Sequence, residues 1–272
     1  MVHRLSLSVA LLVTCFAASG CSGSAGASSD SAEEAYHRGM QYFEQGKYDR
    51  AAEYLKVVFD FGRTNEFADE AQVYLAQAYF EDGQYLLAGT EFTRFVDLYP
   101  TDPRVEEAEV GRIRSYYKLS PNFNLDQTDS ERAIAYIRLF MTRYPSSLFG
   151  DEVVAMLEEL REKLARKQFQ TGRLYERRKL FEAAIISYEV VLGGYSTSPF
   201  ADDALLGVLR AQVGFAANSI VARQADRYQA ALDTYDRLLQ LFPSSPLLTE
   251  AERYYDRAFT GRQGVLGEQA GL

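Results

Sequence analysis

The chain has 272 residues, of which 47% are hydrophobic, 13% aromatic and 25% charged, and its formal net charge is −9. That apolar content excludes a disordered chain, and the lack of any apolar run of ~18–20 residues excludes a polytopic membrane protein. The acidic balance repels a phosphate backbone, so no nucleic acid is expected as a partner.

Met1 to Arg4 is a short basic start, and Leu5 to Ala18 is largely apolar but too short to span a bilayer. Residues 1–20 therefore read as a signal peptide. Ala18-Ser19-Gly20-Cys21 resembles the lipobox of bacterial lipoproteins, with Ala18 where leucine is commonest. The resemblance implies lipidation of Cys21, palmitate included, and a mature chain that begins there; ordinary secretory cleavage beside a chance cysteine is the competing reading. Two or more acyl chains anchor durably, and Ser22 after the cysteine implies sorting to the outer membrane. Residues 21–31 form a lipidated, flexible Ser/Gly/Ala tether, with a root-mean-square span of roughly 17–19 Å for ten residues. Cys15 leaves with the signal, so the mature domain has no disulfide and no thiol ligand.

From Glu33 onward the chain repeats itself. Gly39, Ala76, Ile113, Gly172 and Leu209 align, followed three residues later by Tyr42, Tyr79, Tyr116, Tyr175 and Gln212. After a turn come Ala51, Ala88, Ala133, Ala184 and Ala231, and four residues on Leu55, Phe92, Ile137, Tyr188 and Tyr235. Each unit is expected to be a pair of helices, with small residues allowing close approach and large ones filling the gap. Gly46 and Gly83 punctuate the turns, and Pro100, Pro145 and Pro243 stop second helices by lacking an amide proton. Ser31 with Glu34 and Thr128 with Glu131 read as capping boxes, and Asp102-Pro103, Ser198-Pro199 and Ser245-Pro246 as caps before a first-turn proline. Units three and five carry inserts, the first a loop around Ser120 to Asn124, the second (Ala216 to Asp226) a helix extension. An excess of fourteen residues between Phe149 and Gly172, relative to Phe67 and Ala76, predicts one long helix over roughly 150–178. Glu159/Lys163 and Glu162/Arg166 have the i,i+4 spacing of stabilising pairs along it.

This order of small residue, Tyr, Ala, large residue and Pro resembles the tetratricopeptide repeat. The early Trp is absent from every unit, and units one and four have Arg63 and Ser196 in place of the closing Pro. The resemblance implies an all-α, right-handed superhelical solenoid of five helix pairs plus a C-terminal helix. Units one to three are expected over residues 32–147. Units four and five, with the long connecting helix and a capping helix, are expected over 148–260, and a flexible tail over 261–272. Lipobox, tether and five repeats together are similar to the BamD family, the outer-membrane lipoprotein of the β-barrel assembly machinery. Membership would imply a periplasm-facing adaptor, held to the membrane through its lipid anchor only. It would scaffold the barrel-forming subunit and accessory lipoproteins and contact C-terminal segments of unfolded outer-membrane proteins. A scaffold of a Tol-Pal or pilus-assembly complex is the alternative.

No HExxH, phosphate loop, CxxC or nucleophile elbow occurs, so no enzyme, metal or cofactor is expected. His37 has no second titratable partner type nearby. The first helices of tetratricopeptide units face inward, and counting along them predicts a peptide-binding groove. Tyr36, Met40 and Phe43 come from unit one, Val73, Gln77 and Phe80 from unit two, and Val110, Arg114, Tyr117 and Lys118 from unit three. Acidic Glu44 and Glu81 lie nearby. Arg166, Arg173 and Arg177 in unit four make a basic cluster. Arg114 and Lys118 are expected to meet a client's terminal carboxylate.

Overall fold

Each aligned position packs as its size dictates. Ala51, Ala88, Ala133, Ala184 and Ala231 are all fully buried, and a Cβ on Gly39 would lie 2.8 Å from the side chain of Leu55, its partner position in the same unit. The computed structural model describes residues 27–270, so the signal peptide, Cys21 and the start of the tether lie outside the described residues. Those described residues form five helix pairs: α1 (Ala32–Glu44) with α2 (Tyr48–Val57), α3 (Ala68–Glu81) with α4 (Tyr85–Leu98), α5 (Val105–Leu119) with α6 (Thr128–Arg143), α7 (Gly150–Arg177) with α8 (Phe181–Gly194), and α9 (Ala201–Ala217) with α10 (Val221–Leu241). A single helix, α11 (Leu248–Ala270), closes the stack. Each helix packs on its neighbours in sequence, the arrangement of an all-α solenoid.

Turn chemistry follows the expected glycines. Gly46 and Gly83 have φ of 71° and 76°, left-handed values that cost glycine little, whereas unit four uses Lys179 at φ 59° in the same place. Tyr99, Tyr144 and Phe242 are the C-caps of α4, α6 and α10, each followed by the stopping proline. Unit one, without that proline, ends in a 3-10 turn (Val58–Phe61) and Gly62 at φ 95°.

The caps differ from the sequence expectation. Ser31 does cap α1, accepting from the Glu34 amide at 3.0 Å, but the Glu34 carboxylate reaches the Asp30 amide rather than closing a box on Ser31. Thr128 is the first helical residue of α6, not its cap; its amide donates to Asp126 Oδ1 at 2.9 Å. Asp102 and Ser245 accept amides two residues on (2.8 and 3.2 Å), and Ser198 Oγ has no partner. The three prolines thus sit in a turn ahead of each helix, and the N-caps of α5 and α9, Arg104 and Phe200, directly follow Pro103 and Pro199. The reason is competition: short polar side chains close an Asx or Ser turn as readily as a helix end.

The expected long helix is α7, 28 residues and about 42 Å by rise. Its two i,i+4 charge pairs do not form. Glu159 accepts from the Tyr117 hydroxyl, Lys163 donates to Ser120 Oγ at 2.6 Å, and Arg166 lies 4.4 Å over the Phe123 ring. Lys167 adds a bond to the Leu125 carbonyl at 2.6 Å. The loop between α5 and α6 is therefore strapped onto the long helix, because its carbonyls and hydroxyls need partners and the Lys and Arg stems reach them. The second insert lengthens α9 and α10 and breaks only at Asn218–Ile220.

The buried residues among those described form three clusters: one in units one and two up to Ala108 of α5, one in unit three with the first half of α7, and one over α7 to α11. The first two make up the N-terminal lobe and the third the C-terminal lobe. Val153, Leu160 and Leu164 of α7 pack with α5 and α6, whereas Ala165 and Phe169 pack with α8 to α11. The lobes therefore meet inside α7, between Leu164 and Ala165, and not near residue 147. Tyr195 packs against both cores. At the C-terminus α11 is helical to Ala270 with Val265 buried, so residues 261–270 are an ordered cap rather than a flexible tail. Gly261 makes this possible, its Cα facing the Tyr228 ring so closely that a Cβ would lie 2.5 Å away.

Candidate functional site

Two clefts open on the faces of the first helices, one in each lobe. The N-terminal cleft, about 200 Å³, lies between α1, α3, α4 and α5. Phe43, Phe80 and Phe92 give it rings, Gln77, Glu81 and Glu107 a polar wall, and Arg114 one end. Phe43 is held edge-on by Tyr74 at 5.4 Å and Phe80 by Tyr85 at 5.3 Å.

Of the expected groove residues, Phe43, Gln77, Phe80 and Arg114 are brought together, and the others are not. Tyr36, Val73 and Val110 are buried. Phe67, which opens the next unit, covers Tyr36, stacking on it at 5.3 Å, and the Tyr36 hydroxyl donates to Glu70. That burial and hydrogen bond push the Tyr36 phenol well above its usual range. Met40 packs against the N-terminal core. Tyr117 is engaged by Glu159, and Lys118 is exposed away from the cleft.

Arg114 is not free to meet a client carboxylate. Its Nε and Nη2 donate to the two oxygens of Glu152 at 2.7 Å each, in a bidentate pair across α5 and α7. The pair raises the guanidinium and holds the Glu152 carboxyl below its ordinary value.

The C-terminal cleft is larger, about 660 Å³. Phe169, Gln170, Arg173, Glu176 and Arg177 of α7 form one wall; Phe200 and, from α9, Asp203 and Arg210 form the other. Phe169 and Phe200 are stacked at 5.6 Å. Glu176 is saturated by Arg210 (Nη2 to Oε2, 2.8 Å) and by the Tyr188 hydroxyl (2.8 Å). Burial, with the neighbouring Asp202 charge, pushes the Asp203 carboxyl up. Arg173 and Arg177 are exposed and have no ion-pair partner among the described residues. The expected basic cluster is thus divided: Arg166 lies in a separate cleft beside Phe123, on the strapped loop.

The sequence reading missed Phe200, Asp203, Arg210 and Glu152. Arg210 carried a signal, since it follows Leu209 as Arg114 follows Ile113 and Arg173 follows Gly172. Glu152 carried none, because its pairing depends on how α7 leaves unit three.

Helices α1 to α9 and both clefts fall within residues 28–224, the segment that matches the model of the YfiO family, described as outer membrane lipoprotein. The chain belongs to this family. It is similar to the outer membrane protein assembly factor BamD of Caulobacter vibrioides, 24% identical over 225 residues that cover 81% of this chain and 74% of that one. BamD of Rickettsia prowazekii is 27% identical over 170 residues, covering 62% and 68%. Among solved structures, a TPR repeats protein from Bacteroides fragilis is 14% identical with a TM-score of 0.46, covering 85% of this chain and 99% of that one. In this YfiO-family chain the segment of family likeness takes in α1 to α9 and the start of α10.

Proposed function

We propose that this chain is a lipid-anchored, periplasm-facing adaptor of outer-membrane β-barrel assembly, and not an enzyme. It holds the barrel-forming subunit and accessory lipoproteins on its helical edges and receives C-terminal segments of unfolded outer-membrane proteins in its clefts. The observation that carries this reading is the family match over residues 28–224, together with two relatives whose names are those of outer membrane protein assembly factors. The architecture supports it: stacked helix pairs offer long, preformed surfaces and move little on binding, which suits holding several partners. The two clefts, both lined by aromatic rings, suit segments with large apolar side chains.

Cys21 is the membrane attachment, and among the described residues no helix is long and apolar enough to cross a membrane. Co-purification from detergent-solubilised membranes tests the reading: stable, stoichiometric recovery of a β-barrel subunit is the expected result, and recovery without one overturns it. Cys21→Ser should move the protein to the soluble fraction with unchanged helical content; sedimentation with membranes after a salt wash would refute the anchor.

A further inference from the structure

We propose that the C-terminal cleft is a carboxylate-recognising subsite. It takes the free terminal carboxylate of an extended peptide on Arg173 and Arg177, and the adjoining aromatic side chain on Phe200, whose ring is backed by Phe169. The inference rests on the client-binding reading above and moves the carboxylate from the N-terminal groove to the other lobe.

Three observations carry it. The first is the supply of cations. Arg114, Arg173 and Arg210 hold the same place in successive units, but Arg114 is consumed by Glu152 and Arg210 by Glu176. Arg173 is left without an ion pair, as is Arg177 four residues on along the same helix. Like charges at i,i+4 repel and cost helix stability, and an anion bridging them removes that cost. In a chain of net charge −9, two such guanidiniums facing one cleft are a local reversal of sign.

The second is shape. At about 660 Å³ the C-terminal cleft falls within the ~300–1,000 Å³ typical of ligand sites, whereas the N-terminal cleft, at about 200 Å³, falls below it. Phe200, only partly buried and backed at 5.6 Å by the buried Phe169 ring, gives a client ring a surface to pack on beside the arginines.

The third is the chemistry of the other cleft. Glu81 and Glu107 line the N-terminal one, where a carboxylate would meet like charge with Arg114 already neutralised. In the C-terminal cleft Glu176 is neutralised by Arg210 and held by the Tyr188 hydroxyl, so Asp203 is the one lining acid without such partners, against two unpaired arginines.

The two clefts can be probed separately. Glu152, beside the first, and Arg173, in the second, are both on α7, and 21 residues of rise separate them by about 30 Å. An extended pentapeptide spans only ~17 Å. Titrate a fluorescent pentapeptide ending in Phe, as free acid and as C-terminal amide, against the full-length protein in detergent. The free acid should bind at least about fivefold more tightly. Arg173→Ala/Arg177→Ala should abolish that preference, and Arg114→Ala should leave it intact; both arginines are exposed, and circular dichroism confirms the fold. A preference that survives in the double variant, or vanishes in Arg114→Ala, overturns the placement while client binding stands. Equal binding of acid and amide by the unaltered protein, or no binding of either, overturns the subsite. The adaptor reading is judged independently by co-purification.

Discussion

The two lobes are built from one repeat, yet their clefts carry opposite chemistry. In the N-terminal lobe the arginine after the aligned position of unit three is held in two hydrogen bonds by Glu152, and free acids line the wall. In the C-terminal lobe the equivalent Arg173 is unpaired, and the acid one turn further on, Glu176, is occupied by an arginine from the next unit. Residue type at a repeat position does not by itself set the charge a ligand meets; the partner supplied by the adjoining unit does. Packing differs too. In the C-terminal lobe Tyr188 is clasped between Gly172 and Gly207, on either of which a Cβ would lie 2.6 Å from its ring, whereas Phe92 in the N-terminal lobe faces Gly111 alone.

Lobe-resolved stability can break this comparison, because the chain has no Trp and Phe61→Trp or Phe259→Trp would each report one lobe from a half-exposed site. The largest effect is expected from Leu160→Pro. Leu160 is fully buried in mid-α7, and proline there costs ~3 kcal/mol or more before the lost packing is counted. Urea unfolding followed at each Trp should then split into two transitions; coincident ones would mean that α7 does not couple the lobes. In that Leu160→Pro background, where the transitions are separate, Gly207→Ala should cost about 1–3 kcal/mol by overpacking against Tyr188, lowering the midpoint at the Phe259→Trp probe and leaving the other within error. Gly111→Ala should do the reverse against Phe92.

Glu152→Gln is smaller in stability, about 0.5 kcal/mol for a partly exposed pair, and larger in consequence. With Arg114 released, the N-terminal cleft should gain a free-acid preference in the same pentapeptide titration. The pH effect is the smallest. Hydrogen bonds from Arg104 hold the Asp102 carboxyl below 3.8, and Arg114 holds Glu152 below 4.5. Their stabilisation is complete above those ordinary values and is lost as pH falls through the depressed ones. Asp203 is raised, so its ionisation opposes folding above its folded value and ceases to do so as pH falls past it. In the Leu160→Pro background, acidification from pH 6 to 3 should therefore lower the N-terminal transition relative to the C-terminal one, read at the two probes; an unchanged gap would refute the assignment.

Most of the fold was legible because its signals are local. The alanines at one spacing, the turn glycines and the excess before Gly172 placed the helix pairs and α7 by counting alone. Helix starts were not legible, since Asp102 or Ser245 before proline closes a turn as well as it caps a helix. In the clefts, Phe43, Phe80, Arg173 and Arg177 were readable from helical phase. The state of Arg114 was not: its partner is 38 residues away on another helix. Tyr36 and Val110 were misjudged for a related reason, because burial by the following unit leaves no trace in their own helix.

The division of the cores within α7 bears on how the chain is made. A polypeptide emerging N-terminus first from a ribosome or a translocation pore completes α6 by Arg143, yet the core of unit three still lacks Val153, Leu160 and Leu164. Until about twenty further residues have emerged, Ile137 and Phe140 are covered by α5 alone. Completion of unit three must therefore wait for the first half of α7, and a fragment cut at the repeat boundary begins life with an uncovered face.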